Sequence, residues 1–533
     1  MSQDSTPTKL DLHDIQGNIV KGYGRYGYPY ARYLFLTVRK ESDARRFLRQ
    51  LTDRITSSVP WGHIAPNHEP VKKPLATTNI GFTFAGLKAL GVPQKSLQTF
   101  PQAFAMGMPA RKDILGDDLT SSPEHWDPVW EDPQKVHIWM SINGQTPEDV
   151  EIRYKELLRL IEICDAGVAL LTGHRADDGQ LLPYQDAAAL IENGDPTPKE
   201  HFGYVDGISD PFFKGTGAPP ERVLGAGKPT GKNPATMEGW EPLETGEFIL
   251  GHRDEAFEYP KAPMPPMLGK NGTFMVYRKL HQNVASFHQY CEEVGKDFEG
   301  GKEALSAKFV GRWKNGAPVT SFPTEKQAEE FGRAYEEAKQ NRKDNPTPEN
   351  IQKYNDLKRQ LTAYNYEDDL KGTGCPMGAH VRRANPRGSL EFGVKGAFNT
   401  PGALVNRRRI LRRGLPYGKQ ETTATDSGNH GIIFMALNAD IERQFEFVQQ
   451  QWMNYGNDFK LSNEKDPIIG NMSDKPGVSA DGTMLIQGDE NTGKKPFFCS
   501  HIPRFVETRG GDYFFIPSLT ALRMIADGIV DPT

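Results

Sequence analysis

Apolar residues along this chain recur with two periods, and the switches between them divide it into strands and helices. "YARYLFLTVRK" (30–40) is dense in β-branched and aromatic residues, which predicts a buried strand. "DARRFLRQLTDRI" (43–55) puts Ala44, Phe47, Leu51 and Ile55 on one face, which predicts an amphipathic helix. "NIGFTFAGLKALGV" (79–92) predicts a strand and then a short helix closed by Gly91. "VHIWMSING" (136–144) predicts another strand, and "TPEDVEIRYKELLRLIE" (146–162) a helix opened by the capping pair Thr146 and Asp149. The alternation continues to about residue 195.

Between 212 and 270 the periodicity lapses into glycine- and proline-rich text that predicts irregular chain, of a length that is usually either functional or disordered. "TFMVYRKLHQNVASFHQYCEEVG" (273–295) returns to strand and helix. The charged helical text of 296–370 predicts a surface insertion with solvated faces. The last third repeats the early theme, with "HGIIFMAL" (430–437) as strand, "DIERQFEFVQQQWMNYG" (440–456) as helix and "GDYFFIPS" (511–518) as strand. No repeat is visible residue by residue. Both halves nevertheless share one strand–helix–strand grammar, which fits two similar α+β domains. The expected division is a disordered tail at 1–10, an N-terminal domain at 11–200 and a C-terminal domain at 201–533.

Composition narrows the function classes. At 533 residues the chain exceeds one ordinary core, and 37% hydrophobic with 25% charged residues is the balance of a soluble globular protein. A net charge of -5 leaves no basic footprint for nucleic acid or an anionic membrane. The four cysteines form no CxxC pair, so neither a structural zinc site nor a disulfide framework is expected. The polar N-terminus lacks a secretory layout and no run is long enough to span a membrane, which makes a cytoplasmic location the expectation.

Three segments could carry chemistry. In "HFGYVDGISDP" (201–211), Asp206 sits in a turn between the apolar Tyr204, Val205 and Ile208. It is either an ordinary Asx turn or a carboxylate held against something buried. In "GTGCPMGAHVRRANPR" (372–387), His380 precedes Arg382, Arg383 and Arg387. A lone histidine can be purely structural, but several arginines beside one suit a ligand bearing carboxylates or phosphates. Haem offers both an iron that accepts imidazole and two propionates that want cations. In "NRRRILRRGLPYGKQ" (406–420), Arg412 follows a short apolar strand and could point inward towards an anion; structural pairing is the alternative.

Together these segments resemble the dye-decolourising peroxidases, haem enzymes that use hydrogen peroxide. "GYVDGISDP" resembles the family's GxxDG motif, "CPMGAHVRRANPR" its proximal-histidine segment and "ILRRGLPYG" its distal-arginine segment. "DIQGNIVKGY" (14–23), "IGFTFAGLKALG" (80–91), "DPIIG" (466–470) and "GDYFFIPS" add to the likeness. His380 and Arg412 are 32 residues apart, more than in the short bacterial members, and the 296–370 insertion points the same way, to a larger intracellular subgroup.

The resemblance implies two ferredoxin-like domains with antiparallel sheets, and one haem b per chain in the C-terminal domain. His380 would ligate the iron, while Asp206 and Arg412 would stand over the distal face. Arg387 would pair with a propionate. Asp466 would accept the other N–H of His380, or else be a helix cap or Asp-Pro turn. Ile432 and Phe434 would line the distal pocket, or simply pack. A carboxylate can shuttle the peroxide proton and a guanidinium can steady the leaving oxygen, so acid-shifted turnover is expected. The donors would be dyes, phenols or other aromatics. Bulky ones would be oxidised through surface aromatics, with Trp452 and Tyr417 as candidates. Two alternatives stay open: a haem carrier or sensor without turnover, and a metal-free enzyme using Asp206 as a general base.

Overall fold

A computed structural model describes residues 9–62, 71–217, 220–391, 402–420, 424–473, 482–490 and 493–530. Its first half runs β1 (Tyr30–Val38), α1 (Glu41–Thr52), β2 (Ala76–Phe82), β3 (Ile138–Gly144), α2 (Pro147–Ile163) and β4 (Val168–Leu170). The order across the sheet is β2-β3-β1-β4, all antiparallel, with β5 (Gln185–Ala188) also on β1. The capping box forms as its sequence demands: Thr146 accepts from the Asp149 N–H, and Asp149 accepts in return from the Thr146 N–H.

The second half repeats the scheme with β6 (Thr273–Gln282), α3 (Val284–Gly295), β7 (Leu411–Tyr417), β8 (Gly431–Asn438), a helical segment at 442–453 and β9 (Val506–Ile516). Its order, β7-β8-β6-β9, is that of the first half strand for strand. The two sheets join where Phe515 of β9 pairs with Phe82 of β2. This is the double ferredoxin-like α+β architecture that the resemblance implies, and it agrees with the alternation. Aromatic packing at the heart of the sheet includes Phe35, whose ring lies 4.8 Å from Trp130 and 5.1 Å from Tyr277.

Several expectations need correcting. Of the expected tail, residues 1–8 lie outside the described residues, and Leu10 is buried in the core. The charged stretch 296–370 is not all surface. Within it α4 (Gly301–Val310) and the turn after it bury Phe309, Trp313, Ala317 and Val319. Only the hairpin of α5 (Glu325–Asp344) and α6 (Pro348–Gln360) has the solvated faces that its charges predict. Local charge density did not register the apolar residues that carry this chain back into the core. The expected helix at 440–456 is π-helical, with the N–H groups of Glu446 and Asn454 reaching back five residues to the carbonyls of Ile441 and Gln449. No helix among the described residues is long and apolar enough to cross a membrane.

Candidate functional site

The loop carrying Asp206 is fixed from within. Glu200, buried at its start, accepts the N–H groups of Phe202 and Tyr204 at 2.8 Å each and the side-chain amide of Gln282 at 2.5 Å. Gly203 and Gly207 take φ of +94° and +75°, values that an L side chain rarely adopts. The chain can therefore turn back on both sides of Asp206.

That turn delivers the Asp206 carboxylate to Arg412, whose Nη1 donates to Oδ1 at 2.5 Å. Arg412 is the second residue of β7, inside the strand rather than after it. Strand alternation sends Arg413 the other way, to Asp210 at 2.7 Å and to the carbonyls of Asn18 and Ile19. Asp210 also accepts the Arg412 N–H at 2.9 Å. Burial pushes the Asp206 carboxyl up, but the Arg412 guanidinium, the Gly207 N–H and Arg25 outweigh it and hold it below the usual carboxylate range. The Asp206 and Arg412 side chains are 49% and 38% exposed, and the surface they expose lines an internal cavity.

On the helical side of that cavity, His380 opens α7 (His380–Ala384). Its Nδ1 lies 3.0 Å from Oδ2 of the fully buried Asp466. The other oxygen of Asp466 accepts the N–H groups of Ile468 and Ile469 at 2.8 and 2.9 Å. One carboxylate thus meets both the turn and the imidazole. The Nε2 of His380 has no hydrogen-bond partner among the described residues.

The cavity has a volume of about 300 Å³. Ile432 and Phe434 line its sheet wall; Phe445 and Val448 of the π-helix line the helical wall with Ile468. Arg387 already has several partners within the chain. It is buried at the cavity, but its guanidinium is spent on the carbonyls of Thr362, Tyr364 and Gly225 and on the Ser209 hydroxyl. Arg409, which the sequence reading passed over, is the better anion partner. Among the described residues, its Nη1 has a 3.3 Å bond to the Gly227 carbonyl and its Nη2 is buried without a partner. Burial first, and then the charge of Arg387, pushes the Arg409 guanidinium down to about 9. Such a cation wants a carboxylate. Arg382 and Arg383 are structural, bound to Asp369 and to backbone carbonyls.

Trp452 and Tyr417 are not surface residues, being 2% and 1% exposed. Trp452 packs between Phe447 and Phe459 and donates to Asp458 at 3.0 Å. The Tyr417 hydroxyl has no partner among the described residues, and the Lys279 ammonium sits 4.7 Å from its ring centre. Both features oppose loss of an electron and a proton from Tyr417. Glu200, Asp210 and Arg409 went unassigned in the sequence because turn acids and basic runs have many ordinary uses.

Comparison with known proteins bears on the fold and the family. Residues 14–173 match the DyP dimeric alpha+beta barrel domain, and residues 317–468 match the Dyp-type peroxidase C-terminal domain, together more than half of the chain. A dye-decolorizing peroxidase of Mycena epipterygia is 28% identical, over 98% of this chain and 88% of its own. The multifunctional dye peroxidase of an Amycolatopsis species is 26% identical, over 96% of each. A solved ancestral D-type dye decolorizing peroxidase superposes with a TM-score of 0.70 at 25% identity, covering 97% of this chain and 99% of that one. With both domains matched and the peroxidase fold reproduced along the chain, this protein belongs to the dye-decolourising peroxidase family and is a haem peroxidase.

Proposed function

We propose that this enzyme reduces hydrogen peroxide and oxidises dyes, phenols or other aromatic donors in one-electron steps, with one haem b per chain held between His380 and the Asp206–Arg412 pair. The observation that carries the reading is the opposition of these groups across one apolar cavity. The residues present suit haem. An imidazole with one nitrogen engaged and the other without a partner is a ligand for its iron, and the underbonded Arg409 answers a propionate. A bare metal ion would need several side-chain ligands, and no such group is found among the described residues. When bound, haem would supply the iron centre that gives two electrons to peroxide and regains them one at a time from donors.

The chain's own part is proton handling and positioning. Asp466 accepts the Nδ1 proton of His380, which fixes the ring's orientation and strengthens Nε2 as a donor. Asp206, ionised by virtue of Arg412, takes the proton from the inner oxygen of peroxide and returns it to the outer one. Arg412 stays charged throughout and steadies the departing oxygen. Ile432 and Phe434 keep bulk water from the site. Electrons from donors too large to enter pass through Trp452, which remains a relay candidate as a buried residue. Trp452→Phe then lowers bulky-dye oxidation and spares a small phenol, and equal rates for both would remove it.

The test is an absorption spectrum of haem-supplemented protein before and after peroxide. The expected result is a Soret band that peroxide changes, with donor oxidation following, and loss of haem retention in His380→Ala. A Soret band that peroxide leaves untouched would select a carrier instead.

A further inference from the structure

The cavity does not end at His380. It continues across the sheet face over β6 and β9, towards Leu115 and Asp117 of the N-terminal half. There Arg278 pairs with Asp117, and Thr508 bridges them, donating to Asp117 Oδ1 at 3.0 Å. The pair is buried, with side chains 5% and 3% exposed. Its hydrogen bonding is nonetheless incomplete. Nε and Nη1 of Arg278, Oδ2 of Asp117 and Oε1 of the neighbouring Gln282 are buried without partners among the described residues. Buried polar groups are ordinarily paired, so this cluster calls for a ligand.

The spare groups say which kind. Two donors and two acceptors sit around a pair whose charges cancel. An anion would meet the Asp117 carboxylate, and a cation would meet Arg278. A neutral hydroxyl, which both donates and accepts, suits both sides. The walls beside it are apolar: Leu115, Leu280, Val506 and the Phe445 ring, whose centre is 5.9 Å from the Arg278 guanidinium. Phe445 in turn lies 6.3 Å from Phe434, which borders the place proposed for the haem.

We propose that this lobe is a binding subsite for a small phenolic donor, its hydroxyl held between Asp117 Oδ2 and Arg278 Nη1 and its ring against Phe445 and Leu280. The inference rests on the peroxidase reading above. Each phenol gives one electron to the cofactor and its hydroxyl proton to Asp117, leaving a phenoxyl radical. Two phenols and one hydrogen peroxide thus yield two phenoxyl radicals and two waters, with the protons passing on to the peroxide oxygens. Burial raises the Asp117 carboxyl although Arg278 and Thr508 pull it down, which favours taking that proton.

The experiment titrates haem-loaded, peroxide-free protein with 4-methylphenol and with 4-methylanisole, its methyl ether, by calorimetry. The phenol is expected to bind at least ~10-fold more tightly, since the ether has no proton to donate. Asp117→Asn should abolish most of that difference. Because breaking the buried pair can unfold the chain, Val506→Phe provides a second arm: it fills the lobe and leaves Arg278 and Asp117 untouched. It should weaken 4-methylphenol at least ~10-fold and raise its KM alike, with the KM for peroxide unchanged. Equal affinity for phenol and ether, an unchanged phenol KM in Val506→Phe, or a soaked crystal holding only water at Arg278 would overturn the subsite. Normal peroxide turnover with an unaffected phenol KM would sink the subsite alone; tight phenol binding without peroxide turnover would sink the peroxidase reading alone.

Discussion

Asp206 and Arg412 lie 206 residues apart in sequence and share a 2.5 Å hydrogen bond inside the cavity. Each holds the other charged. Asp206 is the foremost cause of the raised Arg412 guanidinium, and Arg412 is the foremost force lowering Asp206 against its burial. They are expected to behave as one unit. Asp206→Asn should lower kcat/KM for peroxide by about 10²–10⁴-fold and Arg412→Leu by about 10²–10³-fold. The double variant should lose less than the product of the two, measured by stopped-flow with peroxide. Independent, multiplying losses would separate their roles.

The pH dependence has a definite sign. Asp206 must be ionised to accept a proton, and its carboxyl lies below the ordinary value, so its base form persists as pH falls through the usual carboxylate range. Arg412→Leu removes the main lowering influence and leaves burial in charge. The acid limb of kcat/KM for peroxide should then move up by about 1–3 pH units. An unmoved limb would mean that another group sets it.

Asp466 serves two partners with two oxygens, so two variants should part company. Asp466→Asn keeps an acceptor for Ile468 and Ile469 but withdraws the anion from His380; haem affinity or turnover should fall about 10–100-fold with little change in Tm. Asp466→Ala should lose stability as well, by about 1–2 kcal/mol, as expected for a lost cap. Thermal denaturation beside haem titration distinguishes them.

A fourth prediction lies away from the cavity. Burial raises the Asp512 carboxyl to about 6, against its hydrogen bonds from Met108 and Tyr513. Unfolded, it would lose its proton near 3.8, so the fold forfeits stability as pH rises from 4 to 6 and does not regain it above. Oδ1 accepts both backbone N–H groups, and Asp512→Asn preserves both. The variant should be more stable by about 2 kcal/mol at pH 7–8 and unchanged at pH 4, by chemical denaturation.

Strands such as β1 and β3 were legible because buried β-branched and aromatic runs permit little else, and the Thr146–Asp149 cap because its geometry is local. His380, Asp206 and Arg412 were legible through glycine, proline and arginine patterns that resemble a known family. The sequence did not reveal the use of Arg387, whose carbonyl partners come from the 362–364 and 225 turns, distant in sequence. It also missed the inward half of 296–370, where Trp313 and Phe309 are outnumbered by charges that belong to the outer hairpin. Arg409 was hidden in a basic run because inside and outside arginines look alike until the strand register is known.

The chain builds the same six-element scheme twice, yet its second helices differ in pitch. In the first copy α2 is a regular α-helix, whereas the corresponding 442–453 segment of the second copy is wound more loosely and borders the cavity. The molecule thus carries its own control. Amide exchange along α2 gives the local opening energy of this motif away from the His380 cavity, and exchange along 442–453 gives it beside that cavity. The gap between them, read in a single sample, measures how much rigidity the second copy has given up to house a ligand.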